Sequence, residues 1–218
     1  MTTIVAGVDL AWSEKNTTGI VLLNDTEILC AETVQTLKEI KELLDHYKPR
    51  VIGVDAPLRV PNKTGNRKAE QELNKVFKKF DAGCHPVNRT ILTTYATIPR
   101  GEELRILLKE YRASPYTKEL SIIEVYPHAA TIRLLKLNKI FKYKRGTITE
   151  KKSELKKLYQ ALEQCTPPPP KINFSLKGKA YKAQEDILDA YICALVAREH
   201  LKGNSEVFGD EIVVPKEK

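Results

Sequence analysis

The sequence predicts an α/β fold with a mixed β-sheet flanked by helices. Two apolar runs end in the same tripeptide, Gly-Val-Asp, with the acids at Asp9 and Asp55. Runs of this length are typical of buried strands. Two further strand-like segments and one helical segment lie between them. Because a helical crossover permits parallel pairing, we expect the sheet to contain both antiparallel and parallel strands.

The first part of the chain predicts the antiparallel strands and the crossover helix. Asn24 and Asp25 form a turn between two runs rich in β-branched and apolar residues. Thr36 and Glu39 have capping-box spacing at the start of a segment with apolar residues at helical intervals. The predicted elements are strands at residues 4–9, 18–23 and 27–33, a helix at 36–47 and a strand at 51–55.

The second part of the chain predicts an insertion, a further strand and a helical end. Residues 57–118 begin with several Pro, Asn and Gly residues, and they lie between two strands. We therefore expect a single domain over 1–218 in which this insertion lies over the edge with the acids and selects substrate. The predicted elements are helices at 67–80 and 101–112, a strand at 121–125, helices at 129–137, 149–164 and 183–200, a basic loop at 174–182 and an edge strand at 211–214.

Composition limits the class of protein and its partners. With 42% hydrophobic residues, the chain is expected to be globular. The net charge of +8 favours a polyanionic partner such as nucleic acid, although a lysine-rich surface also serves solubility. The four cysteines have no metal-binding spacing, and no apolar run approaches the roughly 20 residues of a membrane span. We expect a cytoplasmic protein without membrane association.

Asp9 and Asp55 are the first candidates for chemistry. Parallel strands place their carboxyl ends at one edge of a sheet, where ligands of α/β proteins bind. Two carboxylates there raise each other's pKa unless positive charge lies between them. Mg²⁺ prefers carboxylate oxygens, so a divalent metal is the expected cation. The alternative is a strand-terminal acid that binds loop amides.

Asp186 and Asp189 lie three residues apart and share one face of the last helix. Most of this helix is apolar, and a helix of that kind is buried. If its amino end reaches Asp9 and Asp55, four carboxylates meet, and such a set holds Mg²⁺ or Mn²⁺ ions of the kind used in phosphodiester hydrolysis. The alternative is that the helix dipole stabilises this pair of acids near the amino end of the helix.

Glu124 and two basic groups complete the predicted site. Glu124 lies in an apolar strand, where it either assists catalysis or pairs with a cation such as Arg67. Basic residues follow Asp55 and precede Asp186, where phosphates need cations, although they fit a solvated surface equally well. The predicted substrate-binding residues are Arg59, Arg67, Lys177, Lys179 and Lys182.

Four motifs in order carry a family resemblance. They are Gly-Val-Asp-Leu-Ala-Trp at 7–12, Gly-Val-Asp-Ala-Pro-Leu at 53–58, Glu-Val-Tyr-Pro-His-Ala at 124–129 and Asp-Ile-Leu-Asp-Ala at 186–190. The order of elements resembles the RNase H-like superfamily, and the acids resemble those of RuvC-type resolvases, where the second acid is commonly Glu. The motifs are similar to the predicted RNase H-like nucleases of the DUF429 family. This resemblance implies a metal-dependent nuclease fold, with Asp9, Asp55, Asp186 and Asp189 as catalytic metal ligands.

Two other classes of protein remain open from the sequence. A non-catalytic module that binds nucleic acid or a protein partner needs the same fold and no metal. An actin-like or sugar-kinase-like phosphotransferase needs Gly-rich turns after its strands to admit nucleotide phosphates. Here Leu10 follows Asp9 and Ala56 follows Asp55, so close approach of the backbone is disfavoured.

Overall fold

The computed structural model describes residues 3–217, which form one β-sheet of eight strands with helices packed on both faces. The strands are β1 (Val5–Asp9), β2 (Thr18–Leu23), β3 (Ile28–Val34), β4 (Val51–Val54), β5 (Arg112–Ala113), β6 (Ser121–Val125), β7 (Ser205–Phe208) and β8 (Ile212–Pro215). The helices are α1 (Leu37–Tyr47), α2 (Lys68–Phe77), α3 (Arg89–Leu92), α4 (Arg100–Leu107), α5 (Pro127–Leu135), α6 (Ile148–Leu162) and α7 (Gly178–Leu201), with a 3₁₀ turn at Lys78–Phe80.

The sheet is mixed, as the sequence predicts. Its order is β3-β2-β1-β4-β6-β8-β7, and β5 pairs with β6 beside this path. Strands β1, β2 and β3 are antiparallel, whereas β1, β4, β6 and β8 run parallel. Strand β7 pairs antiparallel with β8 and, like the two-residue β5, has no counterpart in the sequence prediction.

Alternating side chains of the strands supply two hydrophobic cores, one on each face. Val5 and Val21 face the core that contains α7, while Val8 and Ile20 face the core that contains α1. This separation follows from the two-residue period of a strand. Thr36 and Glu39 form the predicted capping box at the start of α1. The sheet therefore carries a helical layer on each side.

Helix α7 packs directly on the sheet because three glycines lie beneath it. A Cβ atom on Gly7 would stand 1.9 Å from the Ala190 carbonyl oxygen, and one on Gly19 would stand 2.2 Å from that of Asp186. A Cβ atom on Gly53 would stand 2.5 Å from the carbonyl oxygen of Cys193. No side chain fits at these distances, so the glycines of the Gly-Val-Asp motifs set the closest approach of helix to sheet.

The start of α7 differs from the prediction. The predicted basic loop at 174–182 is wrong in its second part, because the helix already begins at Gly178. Asp186 consequently lies in the third helical turn. The influence of a helix dipole on charged groups falls off within the first turn. The alternative explanation, in which the helix dipole stabilises Asp186 and Asp189, is therefore wrong.

The insertion at 57–118 contains α2, α3, α4 and β5. Gly101 in α4 contacts the chain just after Asp55, since a Cβ atom there would lie 2.2 Å from the Pro57 carbonyl oxygen. Part of the insertion therefore lies at the acidic edge of the sheet. Within residues 3–217, no helix has the length and apolar character needed to cross a membrane.

Candidate active site

Asp9 and Asp55 lie side by side at the carboxyl edge of the sheet. In the parallel pair of β1 and β4, Gly7 is opposite Gly53 and Val8 is opposite Val54. The Asp55 N–H continues this ladder by donating to the Val8 carbonyl oxygen at 2.8 Å. The repeated tripeptide thus places both carboxylates at the same level of the sheet, as the sequence predicts.

Helix α7 brings Asp186 and Asp189 to the same edge. Both side chains are buried, and Asp189 has no exposed surface. Burial raises the pKa of Asp9 well above its ordinary value, and the carboxylates of Asp189, Asp55 and Asp186 raise it further. These four acids interact electrostatically, and we refer to them as the acid cluster.

Asp55 shows the same effect. Burial is the main cause that raises the pKa of Asp55 to about 7, and Asp189 and Glu124 add to it while Lys144 and Lys182 oppose it. A carboxyl group with this pKa changes its charge near neutral pH. Perturbed acids of this kind concentrate at functional sites.

Tyr143 and Lys144 belong to the cluster and are absent from the sequence prediction. The Tyr143 hydroxyl donates to Asp189 Oδ1 at 2.6 Å, and Lys144 Nζ lies 2.7 Å from Asp189 Oδ2. Although burial opposes ionisation of Asp189, these two partners hold its pKa below the ordinary value. The pKa of Lys144 is itself raised, since Asp189, Asp9 and Asp55 outweigh its loss of hydration. The only signal in the sequence is the basic character of the loop.

Asp186 has its own cation. Lys182 Nζ lies 2.7 Å from Asp186 Oδ1 and 2.8 Å from Glu185 Oε1, one turn away on the same helix. The Thr17 hydroxyl donates to Asp186 Oδ2 at 3.1 Å. Lys182, predicted to bind substrate, therefore neutralises acids of α7 in this structure.

Glu124 and Arg67 form a separate buried ion pair. Arg67 donates to both carboxylate oxygens of Glu124, and it also pairs with Glu70 and Glu211. The Leu58 N–H donates to Glu124 at 3.1 Å. Pairing of Glu124 with Arg67 is the alternative that the sequence left open. Arg67 is buried and its donors are engaged by these partners, and its predicted contact with phosphate remains a prediction.

The remaining predicted cations lie at the surface near the cluster. Lys177 caps the amino end of α7, and Lys179 is in its first turn. Arg59 follows β4 by a few residues, and all three side chains are exposed. Their predicted role in substrate binding remains a prediction.

The cluster offers the type of donor that hard divalent cations favour, but its side chains are not arranged as a metal centre. Asp9, Asp55 and Asp189 offer carboxylate oxygens, which Mg²⁺ and Mn²⁺ favour. The arrangement differs from a preformed metal centre, because no group of three or more His, Cys, Asp or Glu side chains between residues 3 and 217 is placed to hold a metal ion. Lys144 pairs with Asp189 and Lys182 pairs with Asp186, so cations of the chain itself already lie beside these two carboxylates.

Fold and site together define an α/β protein with a buried carboxylate cluster at the carboxyl edge of a mixed sheet. The chain belongs to the family described as "Protein of unknown function (DUF429)", whose model matches residues 7–213. This membership confirms the family resemblance of the four motifs. Comparison with curated proteins and with solved structures gives no match.

Proposed function

We propose that this protein is a metal-dependent nuclease with an RNase H-like fold, which hydrolyses phosphodiester bonds with Mg²⁺ or Mn²⁺. The observation that carries the proposal is the convergence of Asp9, Asp55 and Asp189, from two strands and one helix, with the pKa values of Asp9 and Asp55 raised. Three acids held together against their repulsion favour a site for cations.

The residues of the chain have distinct roles in this proposal. Asp9, Asp55 and Asp189 would hold the metal, and Asp186 would contribute from one turn earlier on α7. A bound divalent ion supplies Lewis acidity toward the phosphate and the attacking water. Arg59, Lys177 and Lys179 attract the nucleic-acid backbone, in keeping with the net charge of +8. Glu124 holds Arg67 and so fixes the loop after β4.

A second candidate function is a non-catalytic module that binds nucleic acid. Lys144 favours it, because its ammonium group already compensates Asp189 without a metal. The two functions differ in their response to divalent ions. A metal that binds the folded state raises its stability by an amount that grows with the logarithm of metal concentration above Kd, whereas a pure binding module shows no such rise.

The decisive test compares Asp9→Asn with the wild type on single-stranded, duplex and branched substrates in Mn²⁺. We expect the wild type to be stabilised by Mn²⁺ and to cleave one of these substrates. Asp9→Asn should lose cleavage while its metal-free form gains stability, because the variant removes a buried, repelled carboxyl. Asp45→Asn is the matched control, since Asp45 is an exposed acid paired with Lys41.

Two results would contradict the proposal. Equal cleavage by Asp9→Asn would remove the acid cluster from the chemistry. Nucleic-acid binding by a wild type that neither cleaves nor gains stability in Mn²⁺ would establish the binding module instead.

A further inference from the structure

The protein exposes its single tryptophan beside the acidic edge. Trp12 is 46% exposed, and Tyr95, 53% exposed, contacts it edge to face with ring centroids 5.1 Å apart. Ile91 and Ile98 are exposed in the same segment as Tyr95. Large apolar side chains gathered at a surface, rather than scattered singly, mark a binding site.

This aromatic pair borders a groove that begins directly after the two acids of the strands. Leu10, Ala11 and Trp12 line one part of the groove, and Ala56 and Pro57 line another. The groove has a volume of about 20 Å³, so it admits no ligand larger than a water molecule. A ligand here rests on the rings instead of entering a pocket.

Arg100 gives the groove a positive charge. Its side chain lines the groove and is only 5% exposed, and it donates to the carbonyl oxygens of Ala11 at 3.0 Å and Gln35 at 3.2 Å. In the described part of the chain its Nε has no hydrogen-bond partner. Burial lowers the pKa of Arg100, and the carboxylates of Glu14 and Glu103 act in the opposite direction. A guanidinium that lines the groove with its Nε unsatisfied favours an anionic ligand there.

We propose that Trp12 and Tyr95 form a stacking platform for an unpaired base of a nucleic-acid strand whose backbone continues to the acid cluster. The inference rests on the proposed function for the class of substrate and narrows it to single-stranded or locally unpaired nucleic acid. Aromatic side chains bind single strands by stacking on bases, whatever the sequence. An intact duplex buries the faces of its bases and cannot use the platform, except at its ends.

Binding is measured on full-length Asp9→Asn in EDTA, so that cleavage and metal play no part. Fluorescence of Trp12, the only tryptophan, should be quenched by a 12-nucleotide oligothymidylate and less by a duplex of equal length. By anisotropy of a labelled strand, Trp12→Ala or Tyr95→Ala should weaken single-strand binding about 5- to 100-fold. Trp12→Phe should restore most of it, and Tyr116→Ala, which removes another exposed aromatic ring, should leave it unchanged.

The outcomes separate this inference from the proposed function. Unchanged single-strand affinity in Trp12→Ala overturns the platform, and so does a change of oligomeric state in that variant, which would make the patch a protein interface. If the wild type cleaves in Mn²⁺, Trp12→Ala should raise KM with little change in kcat, whereas Asp9→Asn abolishes kcat. Binding that depends on Trp12 without any cleavage supports the platform and rejects the nuclease.

Discussion

The ammonium nitrogen of Lys144 lies 2.7 Å from Asp189 Oδ2, within the cluster that contains Asp9 and Asp55. The other carboxylate oxygen of Asp189, Oδ1, accepts a hydrogen bond from the Tyr143 hydroxyl. A fully buried carboxylate therefore has one neutral donor and one cation, both from the same loop before α6. Under the proposed function, this lysine holds the charge of Asp189 when no metal is bound and competes with metal for it.

Lys144→Met tests that competition. Without metal, the variant should lose about 2 kcal/mol of unfolding free energy, because Asp189 is left without its cation. The loss is smaller than for a fully buried pair, since one third of the Lys144 side chain is exposed. With Mn²⁺ added, the variant should gain more stability than the wild type does. Urea denaturation in EDTA and in Mn²⁺ measures both effects.

Lys142→Met is the control for this experiment, because Lys142 pairs with Asp81 at the surface and lies two residues away in the same loop. It should change stability by less than about 1 kcal/mol and leave the gain in Mn²⁺ as in the wild type. Equal responses of the two variants to Mn²⁺ would show that Lys144 and metal do not share a site.

The raised pKa of Asp55 predicts a dependence of stability on pH. Between pH 4 and about 7 the folded protein keeps a proton that the unfolded chain has released. The stability of the metal-free protein attributable to Asp55 therefore falls as the pH rises through this window. His128, with its pKa lowered to about 4 by burial, acts in the opposite direction below pH 6.5. The contribution of Asp55 is therefore isolated by comparing the unfolding free energies of the wild type and a variant at each pH.

Asp55→Asn is that variant. Its unfolding free energy relative to the wild type should be higher at pH 8 than at pH 5, because the wild type must then bury an ionised carboxylate. Urea denaturation in EDTA at both values measures it, with Asp45→Asn as the exposed control. A relative stability of Asp55→Asn that is independent of pH would show that Asp55 is ionised throughout.

The sequence predicts the mixed sheet, most helices and the position of Asp9 and Asp55, because strand and helix periods are local signals. It does not predict Lys144, since a lysine in an irregular loop has no period that places it against residues 45 or more positions away. Strand β5 is missed because two residues carry too little pattern, and β7 is missed because its Ser-Glu-Val-Phe sequence has no apolar run and only its last residue is buried. The packing role of Gly7 and Gly53 is missed because the helix that they contact, α7, lies more than 100 residues later in the sequence.

Gly7→Ala tests how closely α7 must approach the sheet. The added methyl group would stand 1.9 Å from the Ala190 carbonyl oxygen, so the helix must move. We expect a loss of more than about 3 kcal/mol, at the upper end of overpacking effects, together with weaker stabilisation by Mn²⁺. In Gly178→Ala nothing lies within 4 Å of the new Cβ, and only the positive φ of 57° costs about 1 kcal/mol. Similar losses in urea denaturation would mean that the helix adjusts freely.

The guanidinium group of Arg67 compensates the charges of three glutamates, so its removal should destabilise the protein. Its partners are Glu70, Glu124 and, at 2.9 Å, Glu211. Arg67→Met should lower the unfolding free energy by about 3–5 kcal/mol at pH 8, since buried carboxylates lose their cation. The loss should be smaller at pH 5, because burial raises the pKa of Glu211 to about 7, so this group takes up a proton, and burial shifts the pKa of Glu124 in the same direction.

Thermal unfolding at the two pH values measures this difference. Arg50→Met is the matched control, since Arg50 pairs with Glu119 at the surface, and it should cost less than about 1 kcal/mol at either pH. If Arg67→Met does not fold at pH 8, Arg67→Lys keeps the charge and should fold with a smaller loss. A loss of equal size at pH 5 and pH 8 would mean that Arg67 acts through packing of its side chain, because protonation of the glutamates would then relieve nothing.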